Sequence, residues 1–188
     1  TQLVRDLVKS LDENSIDIIE LGYKSPSKGG PYRKCNDGFI KDIINFKIKA
    51  KLAFMIDVKD FIEDNKVDVN LIKDIIKPKS NSLFSICRVA AKSNEIKFLP
   101  EIISIFQDLG YTVYCNLMGI TITPPKEISL FVNTVLDKKI EGVYIADSYG
   151  ALIPSKVKEI FNEYKLTGIH THDNMGLAFA NCIEAIDN

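Results

Sequence analysis

Two histidines occur in the chain, His170 and His172, and a single residue separates them. Side chains alternate between the two faces of an extended strand, so positions i and i+2 point the same way. Two imidazole nitrogens presented from one face can ligate one metal ion. With oxygen ligands completing the set, such a pair suits Mn2+, Mg2+ or Zn2+, and the pair alone does not select among them. An isolated His-x-His also arises by chance, as two surface or core residues. Here it closes an apolar segment beginning at Gly168 and is followed by a helix start. That is where parallel α/β folds keep their chemistry, at the carboxyl ends of strands.

Three further charged residues end or interrupt apolar segments. Glu20 shares its parity with Ile16 and Ile18, Asp147 with Val143 and Ile145, and Arg88 with Phe84 and Ile86. Parity therefore predicts that both carboxylates point inward, where a carboxylate is costly unless paired or ligated. Arg88 is the cation available to balance them. A buried structural ion pair would account for all three without catalysis. Weaker signals accompany them. Gly29-Gly30-Pro31-Tyr32 reads as a turn before it reads as a substrate lid. Tyr32 and Arg33 read as exposed, Asp57 as a helix cap before a functional group, and Asn174 and Gly176 as the opening of the last helix.

These residues need elements to position them. Six segments read as buried strands, rich in β-branched residues: Ile16–Tyr23, Lys51–Asp57, Leu83–Ala90, Thr112–Met118, Gly142–Asp147 and Gly168–His172. Amphipathic helical patterns alternate with them: Val4–Leu11, Gly38–Ile48, Val67–Ile76, Glu95–Leu109, Pro125–Leu136, Ser155–Tyr164 and Leu177–Ile186. Pro124-Pro125 and Pro154-Ser155 open helices, as proline does in a first turn. The spacing of about 30 residues is that of a βα unit in a parallel sheet. No Gly-rich phosphate loop follows a strand, which counts against a nucleotide-binding open sheet. The alternative is a TIM (βα)8 barrel, which needs eight strands and about 250 residues. The expectation is an α/β TIM barrel, truncated, with its first and last strands missing from this chain. The domain expectation is one barrel over residues 1–188, incomplete at both ends.

Composition narrows the function classes. The 188 residues carry a net charge of −1 with no basic block, which argues against nucleic acid as a partner. No apolar run reaches the ~20 residues that span a bilayer, and the start of the chain lacks a signal-peptide core. The four cysteines, Cys35, Cys87, Cys115 and Cys182, form no C-x-x-C pair. Cys87 and Cys115 lie in apolar runs, as free thiols do, so the cytoplasm is the expected compartment.

The longer motifs resemble a known family. The run Gly-Ile-His-Thr-His-Asp-Asn-Met-Gly-Leu-Ala-Phe-Ala-Asn-Cys-Ile-Glu-Ala-Ile (168–186) resembles the metal-binding signature of the HMG-CoA-lyase-like (DRE-TIM metallolyase) superfamily. Ala146-Asp-Ser-Tyr-Gly-Ala-Leu-Ile-Pro154 resembles its D-[ST]-x-G strand end, and Ile19-Glu-Leu-Gly-Tyr-Lys-Ser-Pro26 its second-strand carboxylate segment. Arg88-Val-Ala and Cys115-Asn-Leu-Met118 resemble the 4-hydroxy-2-oxovalerate aldolase branch in particular. The resemblance covers essentially the whole chain.

The resemblance implies a pyruvate-carboxyltransferase-type TIM-barrel catalytic domain in which His170 and His172 ligate a divalent metal, Mn2+ or Mg2+ ahead of Zn2+. It implies catalytic roles for Glu20, Arg88 and Asp147, and substrate-binding roles for Asn116 and Ser148. The family's first-strand Asp and Arg have no counterpart here, so the fragment alone is expected to be inactive. The implied reaction is retro-aldol cleavage of a 4-hydroxy-2-oxo acid to pyruvate and an aldehyde, by a protein that could be a homo-oligomer. Two alternatives stand beside it. One is a Claisen-type acyltransferase or acyl-CoA lyase of the same superfamily; the other is a non-catalytic metal-binding barrel scaffold.

Overall fold

The computed structural model describes residues 2–26 and 35–188. Gly29, Gly30, Pro31, Tyr32 and Arg33 lie outside the described residues. Among the described residues, the six strands of the main sheet and the helices between them follow the expected alternation, and a two-stranded hairpin is added to them. In chain order they are α1 (Gln2–Glu13), β1 (Ile18–Tyr23), α2 (Asp37–Ile43), β2 (Lys51–Asp57), the two-residue strands β3 (Ile62–Glu63) and β4 (Lys66–Val67), and α3 (Val69–Ile75). Then come β5 (Ile86–Ala91), α4 (Leu99–Asp108), β6 (Thr112–Met118), α5 (Pro125–Asp137), β7 (Gly142–Ala146), α6 (Pro154–Glu163), β8 (Gly168–His170) and α7 (Ala178–Ile186). The main sheet runs β1-β2-β5-β6-β7-β8, so its strands neighbour one another in sequence order. That order is what successive βα units produce when each crossover returns the chain in the same direction.

The chain divides into two compact units, Thr1–Val89 with Ser104–Val113, and Ala90–Ile103 with Tyr114–Asn188. In the first, β1 pairs with β2 in parallel, Ile18 opposite Lys51 and Glu20 opposite Ala53. The register then slips: Tyr23 stands opposite Met55, so three steps along β1 match two along β2. Gly22, at φ 137°, absorbs the extra residue. A bulge of this kind bends a strand and re-aims its side chains. The unit's core is an aromatic cluster: Phe54 packs edge-on against Phe84 and Tyr111, with Phe106 tilted against Phe54 and Tyr111. Such rings combine large apolar burial with a favoured edge-to-face geometry. Asp12 accepts hydrogen bonds from the backbone N–H of Lys49 and Ala50, at 2.8 and 2.7 Å, and so fixes the entry into β2.

In the second unit β6, β7 and β8 pair in parallel, Asn116 opposite Tyr144, Met118 opposite Ala146 and Ala146 opposite His170. Helix α5 buries Ile128, Phe131, Val132 and Val135, the i, i+3, i+4, i+7 stripe of an amphipathic helix. Each such side chain contributes roughly 1.5–3 kcal/mol when fully buried. Pro125 and Pro154 both stand in helical first turns, as expected. Two glycines on the other sheet face hold aromatic rings. A Cβ on Gly142 would lie 2.2 Å from the Tyr114 ring, and one on Gly168 2.3 Å from the Tyr144 ring. No described helix is long and apolar enough to cross a membrane.

Candidate metal and substrate site

Glu20 and Arg88 meet in the first unit. Arg88 Nε donates to Glu20 Oε2 at 2.7 Å and Nη2 to Oε1 at 2.7 Å, a two-pronged pair. The match of planar guanidinium to planar carboxylate makes this the strongest common ion-pair geometry. Arg88 is expected to balance the Glu20 and Asp147 carboxylates; it pairs with Glu20, whereas the Asp147 carboxylate accepts from backbone amides. Glu20 lies on the β1 face of Ile18, which is more exposed than the face of Ile19. Tyr23, re-aimed by the bulge, joins this group. Burial and the nearby Asp57 and Glu20 carboxylates raise its phenol above the ordinary value, against the opposing pull of Arg88 and Lys59. Sequence reasoning passed over Tyr23, although Gly22 within a strand is the signal of a bulge. Asp57 is corrected as a helix cap. It precedes a short 3-10 turn without capping it, and its Oδ2 sits 3.0 Å from Lys59 Nζ.

Asp147, His170 and His172 meet in the second unit, but not as three groups facing one point. Asp147 does share parity with Val143 and Ile145, and that is the fully buried face of β7. His170 pairs in register with Ala146, on the other face. The Asp147 carboxylate is 0 % exposed, with Oδ1 accepting from Ala151 N–H and Oδ2 from Leu152 N–H at 2.9 and 3.0 Å. It fastens the turn that follows β7. The catalytic expectation for Asp147 is therefore corrected: a buried acid with both oxygens on backbone amides does not reach a substrate.

The Asp147 backbone has a different task. Its carbonyl oxygen lies 2.6 Å from His172 Nδ1, and its N–H donates to the His170 carbonyl at 2.9 Å. A carbonyl can only accept, so Nδ1 of His172 carries the proton and the lone pair is left on Nε2. This is how proteins orient a histidine for metal, by bonding the ring nitrogen that does not ligate. The two imidazole centroids are 5.0 Å apart with planes tilted by 60°. Strand β8 ends at His170, so a hydrogen bond rather than the pleat holds His172 beside it. The pair fits two positions of a divalent-metal site. Among the described residues no three His, Cys, Asp or Glu side chains gather to complete one.

The two substrate-binding candidates also belong to the second unit. Ser148 Oγ accepts the Gly119 N–H at 2.9 Å, joining the turns after β6 and β7. Asn116 is 3 % exposed, and its Oδ1 has no hydrogen-bond partner among the described residues. An orphaned acceptor of that kind is uncommon in a buried amide. Asn116 lies on the same sheet face as Tyr144, Ala146 and His170. Asn174 packs its side chain over Gly150, and Asp173 rather than Asn174 opens α7, accepting the Ala178 N–H at 2.9 Å.

With this geometry in view, known proteins can be compared. The family model described as HMGL-like matches residues 1–188. The chain belongs to the HMGL-like family. Curated relatives are 4-hydroxy-2-oxovalerate aldolase 3 of Rhodococcus opacus (strain B4), 28% identical over 97% of this chain and 55% of its own length, and the 4-hydroxy-2-oxovalerate aldolase of Mycolicibacterium paratuberculosis (strain ATCC BAA-968 / K-10), 27% identical over 97% and 53%. The chain thus spans about half the length of the curated relatives it matches. Among solved structures, the N-terminal domain of a protein described as an aldolase from Bacteroides vulgatus superposes with a TM-score of 0.80 at 24% identity, covering 98% of this chain and 62% of that one. Hydroxymethylglutaryl-CoA lyase from Pseudomonas aeruginosa superposes at 0.68 and 15% identity, covering 97% and 66%. These likenesses establish the fold as that of the TIM-barrel lyases, of which this HMGL-like chain holds part.

Proposed function

We propose that this HMGL-like chain carries the two-histidine part of a divalent-metal aldolase, which cleaves 4-hydroxy-2-oxo acids to pyruvate and an aldehyde. The observation that supports the reading is the hydrogen bond from His172 Nδ1 to the Asp147 carbonyl, which leaves the Nε2 lone pair for a ligand, with the second imidazole beside it. Names of relatives at 27–28% identity support the aldolase chemistry over other lyases.

His170 and His172 would hold the cation, Mn2+ or Mg2+, in the company of oxygen ligands. Such a cation, when bound, supplies Lewis-acid polarisation of a substrate carbonyl. The chain's own residues do the rest of the work assigned here. Asp147 positions His172 through its carbonyl and keeps the turn rigid through its carboxylate. Glu20 grips Arg88 with both oxygens, so the guanidinium is presented in one orientation to an anionic substrate. Charge held ready in this way lowers a barrier without reorganisation at the moment of reaction. Glu20 acts as a positioning residue in this scheme, because both its oxygens are engaged. In the reaction the C3–C4 bond breaks. Its electron pair and one proton end on C3, giving pyruvate, while the C4 hydroxyl loses its hydrogen and becomes the aldehyde.

The test uses the whole protein. Calorimetric titration with Mn2+ should lose at least about 10²-fold in affinity in both His170→Ala and His172→Ala, since each removes a direct ligand. Unchanged affinity in both variants would refute the site. Pyruvate release from 4-hydroxy-2-oxo acids should be measured alongside. Cleavage of a 3-hydroxyacyl-CoA instead would move the reading to the acyl-CoA lyase branch.

A further inference from the structure

Beyond the carboxyl ends of β5, β6 and β7, within the second unit, lies a cavity of about 340 Å³. Its wall includes Lys92, Met118, Gly119, Thr123, Ser148 and Tyr149. Lys92 immediately follows β5, Gly119 follows β6, and Ser148 is two residues past β7. Gly119 knits the wall together: its N–H donates to Ser148 Oγ, and its carbonyl accepts from Thr123 Oγ1, both at 2.9 Å. It does so at φ 71°, a conformation glycine adopts without strain. The size suits a small substrate group. Lys92 makes no ion pair among the described residues, and the nearby Glu95 carboxylate is turned to the Lys92 backbone N–H at 2.8 Å.

The cavity and the metal-oriented histidine are neighbours along one turn. Asp147 offers its carbonyl to His172, and the next residue, Ser148, lines the cavity. In a 4-hydroxy-2-oxo acid only C3 separates the 2-oxo carbon from C4, so a substrate held at the histidines carries its C4 substituent a few bonds away. We propose that this cavity receives the C4 substituent, and that Lys92 selects substrates whose substituent ends in an anion. The substrate class would be 4-hydroxy-2-oxo acids with a second carboxylate on the aldehyde side. This rests on the aldolase reading above, and it adds the identity of the aldehyde: a short, anionic one.

Two measurements separate the two claims. In the first, the whole protein is given 4-hydroxy-2-oxo acids bearing methyl or carboxymethyl on C4, and pyruvate is followed. The wild type should prefer the carboxymethyl compound in kcat/KM by about 10-fold, the scale of one charge-assisted contact. Lys92→Met should erase that preference through KM for the carboxymethyl compound. Lys92→Arg should restore it. In the second, 3-hydroxypropanoate, an unreactive counterpart of the anionic aldehyde, is titrated into wild type and Lys92→Met. Binding should weaken about 5-fold or more in the variant. Pyruvate from neither compound would sink the aldolase reading while the titration still decides the cavity. Equal 3-hydroxypropanoate binding by wild type and Lys92→Met, or a preference for methyl, would overturn the role of Lys92.

Discussion

Strand β1 and the residue just past it supply one partner to each of two ion pairs in the same unit, and their surroundings differ. Lys24 bonds Asp37 at 2.8 Å with side chains 2% and 7% exposed. Its ammonium lies 4.8 Å from the centroids of both Phe54 and Phe84. Asp37 also accepts from Ser82 Oγ and from the Leu83 N–H, so every charge is enclosed and answered. Glu20 and Arg88, with side chains 29% and 11% exposed, keep one side toward solvent. An enclosed pair holds the fold, because removing one member strands the other in an apolar setting. A half-open pair with matched geometry holds a charge in place for something to meet it. The first lesson is that ion pairing in a core does not by itself mark chemistry; access does.

The comparison breaks first at Asp37. Asp37→Ala leaves the Lys24 ammonium enclosed without a partner and should destabilise the whole protein by about 3–5 kcal/mol. Urea unfolding measures this. A loss under ~1 kcal/mol would mean that the pair is no more structural than a surface one. Glu20→Gln gives the converse result. It keeps the size and most hydrogen bonding, so the unfolding free energy should fall by ~1 kcal/mol or less. Pyruvate release should nonetheless fall by ~10²-fold, as for loss of a positioned group. Thermal unfolding and turnover on one sample tell the two apart: a lowered midpoint with a normal rate would make Glu20 structural.

The smallest effect is in acid. Burial alone would push the Asp37 carboxyl up, but the Lys24 ammonium and the Ser82 and Leu83 hydrogen bonds outweigh it and hold it below the usual carboxylate range. A folded-state value below the unfolded one, about 3.9, contributes stability that is complete above that pH. It is lost as pH falls through the folded value. Unfolding free energy should therefore drop below about pH 4, and Asp37→Asn should show a shallower acid slope than wild type. Equal slopes would count against the depressed carboxyl.

The alternation of strands and helices was legible because apolar runs and polar breaks carry it. Lys51–Asp57 and Thr112–Met118 have the limits that their continuous apolar character implies. Ends were less legible. The first and third segments begin later than their β-branched residues suggest, at Ile18 and Ile86, since a strand needs a partner as well as a propensity. The second helix stops at Ile43, short of Ile48, where the chain turns to meet Asp12. The β3–β4 hairpin was missed, although Asp64 and Asn65, both at positive φ, are residues that tolerate its tight turn. In the site, Glu20 with Arg88 could be read from parity; the spacing of His170 and His172 singles them out, but β8 ends at His170 and parity does not govern His172. Asp147 could not, because parity tells which residues share a face but not which face is covered. The backbone carbonyl that orients His172 has no sequence signature at all.

The tyrosine rings seated on Gly142 and Gly168 bind positions in the sequence to one another. Tyr144 fills the space that a side chain at 168 would occupy, two residues before the first imidazole. The identities at 144 and 168 are consequently not separable choices. A lineage that enlarges one must shrink or turn aside the other, or shift the strand that ends in His170. The same holds for Tyr114 and Gly142, and Tyr114 meets Tyr144 edge to face at 5.8 Å. Four positions thus drift as a linked set, and a change in any one of them is heard at the histidine end of the sheet.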